Sequence, residues 1–131
     1  MAADDHAVVV GIGSYPQLSA LAGPVPDAEA FRNWLISPGG GAVPSRQARK
    51  VLSPARLPAD PMRATPMLSD VQAELDRLQQ LGLDNDGHAG RRLWLYLAGH
   101  GVAPTPSDAA LLMANANVQR LYHLPAAPYL N

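Results

Sequence analysis

Residues 93–104 read LWLYLAGHGVAP, and the fold turns on how this stretch is read. Leu93, Trp94, Leu95, Tyr96 and Leu97 form a continuous apolar run, which is read as a buried strand. The run passes straight into Ala98-Gly99-His100-Gly101. In an open parallel sheet, active sites gather outside the carboxyl ends of the strands, so a histidine just past such an end is a candidate functional group. The flanking glycines let the backbone turn sharply and let a ligand approach its N–H groups. Taken alone, the stretch also fits a tight turn that the histidine merely caps.

Working outward, residues 7–12 (AVVVGI) are a β-branched run without alternation, the pattern of a strand covered on both faces. A Gly-Ser-Tyr-Pro turn follows. Asp27 is read as the N-cap of a helix whose Phe31, Trp34 and Leu35 share a face, stopped by Pro38 and Gly39, Gly40 and Gly41. Residues 49–52 make a short second strand. Residues 53–66, with four prolines, read as a surface connection. The next helix has Pro66 in its first turn, a buried stripe of Met67, Val71, Leu75, Leu78 and Leu81, and Gly82 as C-cap. After the strand at 93–97 come a turn at 105–108 and a short apolar strand at 109–113.

Strands and helices alternating in this order give right-handed βαβ crossovers and a parallel sheet with helices on its faces. The expected class is α/β, a three-layer α/β/α sandwich with a mostly parallel sheet, incomplete at its C-terminus. Residues 1–6 are expected to be an N-terminal tail and 7–116 the domain. Residues 117–131, including Pro125 and Pro128, are expected to be irregular.

The composition excludes several functions. At 131 residues the chain fits one domain with a moderate core. Ten basic residues against eleven acidic ones leave no footprint for nucleic acid or an anionic membrane. No window reaches the roughly 18 apolar residues of a membrane span, and the start MAADDHAVVV is acidic where a signal peptide is basic. A cytoplasmic protein is expected, with a small molecule or a protein as partner. No cofactor is expected. Zero cysteines rule out a disulfide framework and thiolate metal sites. His6, His88, His100 and His123 lack the spacing of zinc ligands, and Asp4-Asp5-His6 reads as a solvated tail, so no metal is expected. GIGSYP lacks the third glycine of a dinucleotide fingerprint, because Pro16 stands in that place.

One pairing speaks for the functional reading of His100. Residues 8–35, VVVGIGSYPQLSALAGPVPDAEAFRNWL, together with residues 93–101, LWLYLAGHG, resemble the caspase-like cysteine peptidases. That group includes metacaspases, paracaspases and bacterial caspase homologues. Leu21, Gly23, Asp27 and Ala28 match its leucine-x-glycine loop and Asp-Ala helix start. Residues 98–101 match its Ser/Ala-Gly-His-Gly motif, and DAALLMANA (108–116) follows as the family's next segment does. The resemblance implies that His100 is the imidazole of a Cys–His dyad, with the N–H of Gly101 helping to hold the oxyanion. It implies a protein or peptide substrate, with contacts at Leu21, Ala22 and Gly99. At Asp27, helix capping is preferred over substrate contact.

The family's nucleophile is missing from these residues. Caspases carry the cysteine roughly 50 residues after the histidine, and no cysteine stands anywhere in this chain. It is expected downstream in a longer protein or on a companion chain, the chain alone being inactive. The alternative is a catalytically inactive caspase-like module acting as an adaptor. The loop before Gly23 holds Leu21 and Ala22 where animal caspases place an arginine, so a preference for aspartate is not expected.

Overall fold

The computed structural model describes residues 2–103 and 105–126. Three strands form a parallel sheet: β1 (Asp5–Gly11), β2 (Ala48–Leu52) and β3 (Arg92–Ala98), in the order β2-β1-β3. Helix α1 (Pro24–Ile36) joins β1 to β2, and α2 (Leu68–Leu83) joins β2 to β3. The chain moves first to one side of β1 and then to the other. Two right-handed crossovers in opposite directions put their helices on opposite faces of a sheet, as found here.

Side-chain alternation along β1 divides the core in two. Ala7 and Val9 pack with Ala28 and Leu35 of α1, while Val8 and Val10 pack with Val71 and Leu78 of α2. Both faces being covered explains why the run has no polar alternation. Registers fix the rim: Gly11 stands opposite Leu52 on one side and Ala98 on the other, so the three strands end level.

A second sheet, antiparallel, is built from β4 (Gly101–Val102), β5 (Ala110–Leu112) and β6 (His123–Pro125). It follows directly from the end of β3. Leu111 and Leu124, paired on one face of this sheet, bury against the α2-side core, and Leu112 on the other face is buried as well.

Several expectations are corrected. Strand β3 is not buried but forms an edge of its sheet, with Leu93 half exposed. Asp27 does not cap α1: the helix starts three residues earlier at Pro24, whose missing N–H suits a first-turn position. The Asp27 N–H donates to the Gly23 carbonyl inside the first turn. In α2, Pro66 precedes the helix, Met67 is the N-cap residue, and the Asp70 carboxylate in the first turn reaches back to accept the Met67 N–H at 2.8 Å. Leu81 is exposed, and Gly82 is a buried helical residue, since α2 runs on to Leu83. The 53–66 connection is not wholly superficial, because Ala64 and Pro66 are buried. Asp5 and His6 are no tail: they begin β1, and Asp5 is 1% exposed. Within the segment expected to be irregular, residues 123–125 pair with β5, while 127–131, with Pro128, lie outside the described residues.

Candidate functional site

Strand order reverses at β1, so the loops leaving β1 and β3 meet over the level ends of those strands, the usual location of an α/β active site. The β1 loop, residues 12–23, is anchored at three points. The Ile12 N–H donates to the Ala98 carbonyl at 2.9 Å, the Leu21 N–H to the Gly13 carbonyl at 2.8 Å, and the Ser53 hydroxyl oxygen accepts the N–H groups of Gly13 and Ser14 at 3.1 and 3.2 Å. A Cβ on Gly13 would stand 2.5 Å from the Leu21 carbonyl oxygen, so the loop closes only around a glycine.

This loop carries two groups to His100. The Tyr15 ring is buried and meets the imidazole edge-on, 4.7 Å between centroids at 65°. Its hydroxyl accepts the backbone N–H of His100 at 2.9 Å and donates to the Leu112 carbonyl at 3.0 Å, tying β3's end to β5. Burial raises the hydroxyl's pKa above the ordinary phenol value, against the opposing pull of the His100 N–H, so it remains a donor at neutral pH. The second group is the Ser19 carbonyl oxygen, 2.6 Å from Nε2 of His100. A carbonyl only accepts, so Nε2 carries the proton in that bond and the neutral ring presents Nδ1 as a lone-pair base. Among the described residues no group hydrogen-bonds Nδ1.

The glycines beside the ring have separate duties. A Cβ on Gly99 would come within 2.5 Å of the Tyr15 hydroxyl, so Gly99 makes room for the tyrosine bridge. Gly101 is exposed and stands opposite Leu111 in the β4–β5 pair. The ladder bond beside it runs from the Leu112 N–H to the His100 carbonyl at 2.8 Å. Gly101 thus sits at a non-hydrogen-bonded position, and its amide turns away from β5.

Of the residues singled out from the sequence, His100 and Gly101 adjoin along the chain, and Leu21 and Ala22 lie on the loop that supplies the Ser19 carbonyl. Leu21 is partly buried and packs on the core, while Ala22 and Gly23 are exposed. A hollow of about 620 Å³ is lined by Gln17, Met62 and residues 117–120 and does not include His100. His6 and His88 line a separate hollow of about 190 Å³ with Asp4. Among the described residues no group of three His, Cys, Asp or Glu side chains is placed to hold a metal, and no helix is long and apolar enough to cross a membrane. Sequence reading missed Ser19 and Tyr15.

No protein-family model matches the chain. Over 97 residues, 73% of its length, it is 36% identical to a probable protease of a Desulfuromonadales bacterium. The chain spans 12% of the relative's length.

Proposed function

We propose that these residues are the histidine-bearing portion of a caspase-like cysteine endopeptidase, with a caspase-like fold built on the parallel sheet. The observation that carries this reading is the Ser19 carbonyl on Nε2 of His100. It holds the ring in the tautomer whose Nδ1 can take a proton. A histidine that only capped a turn would have no need of a ring held by one nitrogen with the other left to react.

The chemistry follows from the two groups at the rim. Nδ1 of His100 removes the thiol proton of a cysteine, and the thiolate attacks the substrate carbonyl carbon. Negative charge develops on the carbonyl oxygen, and the Gly101 N–H donates to it. The imidazolium then protonates the leaving amine, the peptide C–N bond breaks, and water releases the acyl group from sulfur with the same imidazole as base. The Nε2–H bond to Ser19 strengthens once the ring is charged, which stabilises the imidazolium. Leu21, Ala22 and Gly99 flank the acyl side of the substrate. The chain contains no cysteine, so the thiol comes from a cysteine-bearing segment of the parent protein or from a companion chain.

The lack of cysteine favours a second reading, a catalytically inactive caspase-like module that binds a partner. One experiment separates them. The parent protein is assayed on a pooled peptide library, with and without a thiol alkylating agent, as wild type and as His100→Ala. Cleavage that is lost both on alkylation and in the variant, with the melting temperature kept, supports the peptidase. Turnover in His100→Ala rejects the role given to His100, and no turnover in the wild type leaves the binding module.

A further inference from the structure

The small antiparallel sheet carries a hollow aligned with His100. Side chains alternate between the faces of a strand. Leu111 marks one face: it stands opposite Gly101, and its Cδ1 lies 3.1 Å from where a Cβ on Gly99 would be. Val102, Ala110 and Pro125 pair across the three strands as one row on the other face. The bond from the Leu112 N–H to the His100 carbonyl continues the ladder by one position, so His100, Leu112 and His123 make the neighbouring row of that same face. Two residues along a strand separate the rows by about 7 Å. The Val102–Ala110–Pro125 row lines a hollow of about 310 Å³ together with Leu121, Asp108 and His123.

We infer that this hollow is the subsite for a bulky apolar side chain on the leaving-group side of the scissile bond. The inference rests on the peptidase reading. His100 must reach the leaving amine, so the substrate beyond that amine passes close to the imidazole. The Nε2 side is closed by the Ser19 loop. On the β4 side the same face continues into the hollow. Its walls, Val102, Ala110, Leu121 and Pro125, are apolar and select for apolar surface, so an acidic side chain entering it loses hydration without gaining a matching partner from them. A volume of about 310 Å³ admits a leucine or phenylalanine side chain with part of its backbone.

The test has a binding arm and a turnover arm. In the first, methyl-labelled 131-residue chain is titrated with Leu-Gly-Ser-amide and Asp-Gly-Ser-amide, free-amine peptides of the kind the reaction releases. The leucine peptide should shift the methyl signals of Val102, Ala110 and Leu121 at about one-tenth of the concentration the aspartate peptide needs. Ala110→Phe, which fills the hollow, should remove that difference; Leu121→Ser serves if Ala110→Phe lowers the melting temperature. Equal binding of both peptides, or shifts confined to other residues, overturns the inference. In the second arm the parent protein is offered substrates differing only in the residue after the scissile bond. Its preference for leucine over glycine should be about tenfold and fall to near one in Ala110→Phe. Selective binding without turnover leaves the subsite standing and fails the peptidase reading. Turnover without selectivity does the reverse.

Discussion

The carbonyl oxygen of Ser19 lies 2.6 Å from Nε2 of His100, across 81 positions of sequence. A backbone carbonyl cannot be titrated or removed by substitution, so it fixes the imidazole more permanently than a side-chain partner would. The neutral form of His100 should therefore be the Nε2–H tautomer. Long-range ¹H–¹⁵N correlation spectra of the histidine side chains distinguish the two forms. A proton on Nδ1 would remove the basis for treating that nitrogen as the base.

Tyr15 secures the same histidine through the main chain. Replacing it with Phe takes away one hydroxyl and leaves two groups, the His100 N–H and the Leu112 carbonyl, without their partner. Buried polar groups left unpaired cost about 1–3 kcal/mol. Tyr15→Phe should lose stability in that range by urea unfolding and should shift the His100 backbone amide resonance. An unfolding midpoint equal to that of the wild type would show that the bridge contributes nothing.

The sheet was legible because its cause is local. A β-branched run such as residues 7–12 has few alternatives to a strand covered on both sides, and strands alternating with helices determine the parallel order. What was not legible depends on contacts far apart in sequence. Composition marks residues 93–97 as apolar, but only the strand order shows that they form an edge. Residues 123–125 are extended because β5 pairs with them, and no local pattern announces it. The position of His100 was readable from the glycines around it. Ser19 was not, since it acts through a carbonyl that every residue possesses, and Tyr15 was not, since its hydroxyl acts 85 positions away. The Asp27 reading failed because the two prolines at 24 and 26 begin the helix more effectively than a side-chain cap three residues on.

At the opposite end of the sheet, Asp5 is buried and its two carboxylate oxygens each accept from Arg91 at 3.2 Å. Removing the cation leaves a buried charge without this partner. Breaking a fully buried pair costs about 3–5 kcal/mol. The Arg91 side chain is 45% exposed, and water screens that end of the pair, so about 2 kcal/mol is expected here. Arg91→Ala should therefore lower the denaturation free energy by about this amount. Asp5→Asn combined with Arg91→Ala should recover part of the loss, because the stranded charge is then gone. Additive losses in the double variant would contradict the pairing.

His6, the second residue of β1, lies on the face toward α2, and its Nδ1 is buried with no hydrogen-bond partner among the described residues, as is one terminal nitrogen of Arg77. Burial first, and the Arg77 charge second, lower the pKa of His6 below the ordinary 6.5; Asp5 and Asp4 oppose them. Because the folded-state pKa is the lower one, the unfolded chain holds more protons just below pH 6.5. Stability is thus complete above that value and declines as pH falls through the folded-state pKa. His6→Gln removes the titration while keeping a polar side chain. Urea midpoints measured from about pH 8 to about pH 5 should fall more steeply in the wild type than in His6→Gln, with the two profiles diverging only in the acid half of the range. Other acid-sensitive groups act equally on both proteins and cancel in the comparison. Profiles that stay parallel throughout would mean that His6 takes up its proton as readily in the folded protein as in the unfolded chain, and that neither burial nor Arg77 burdens it.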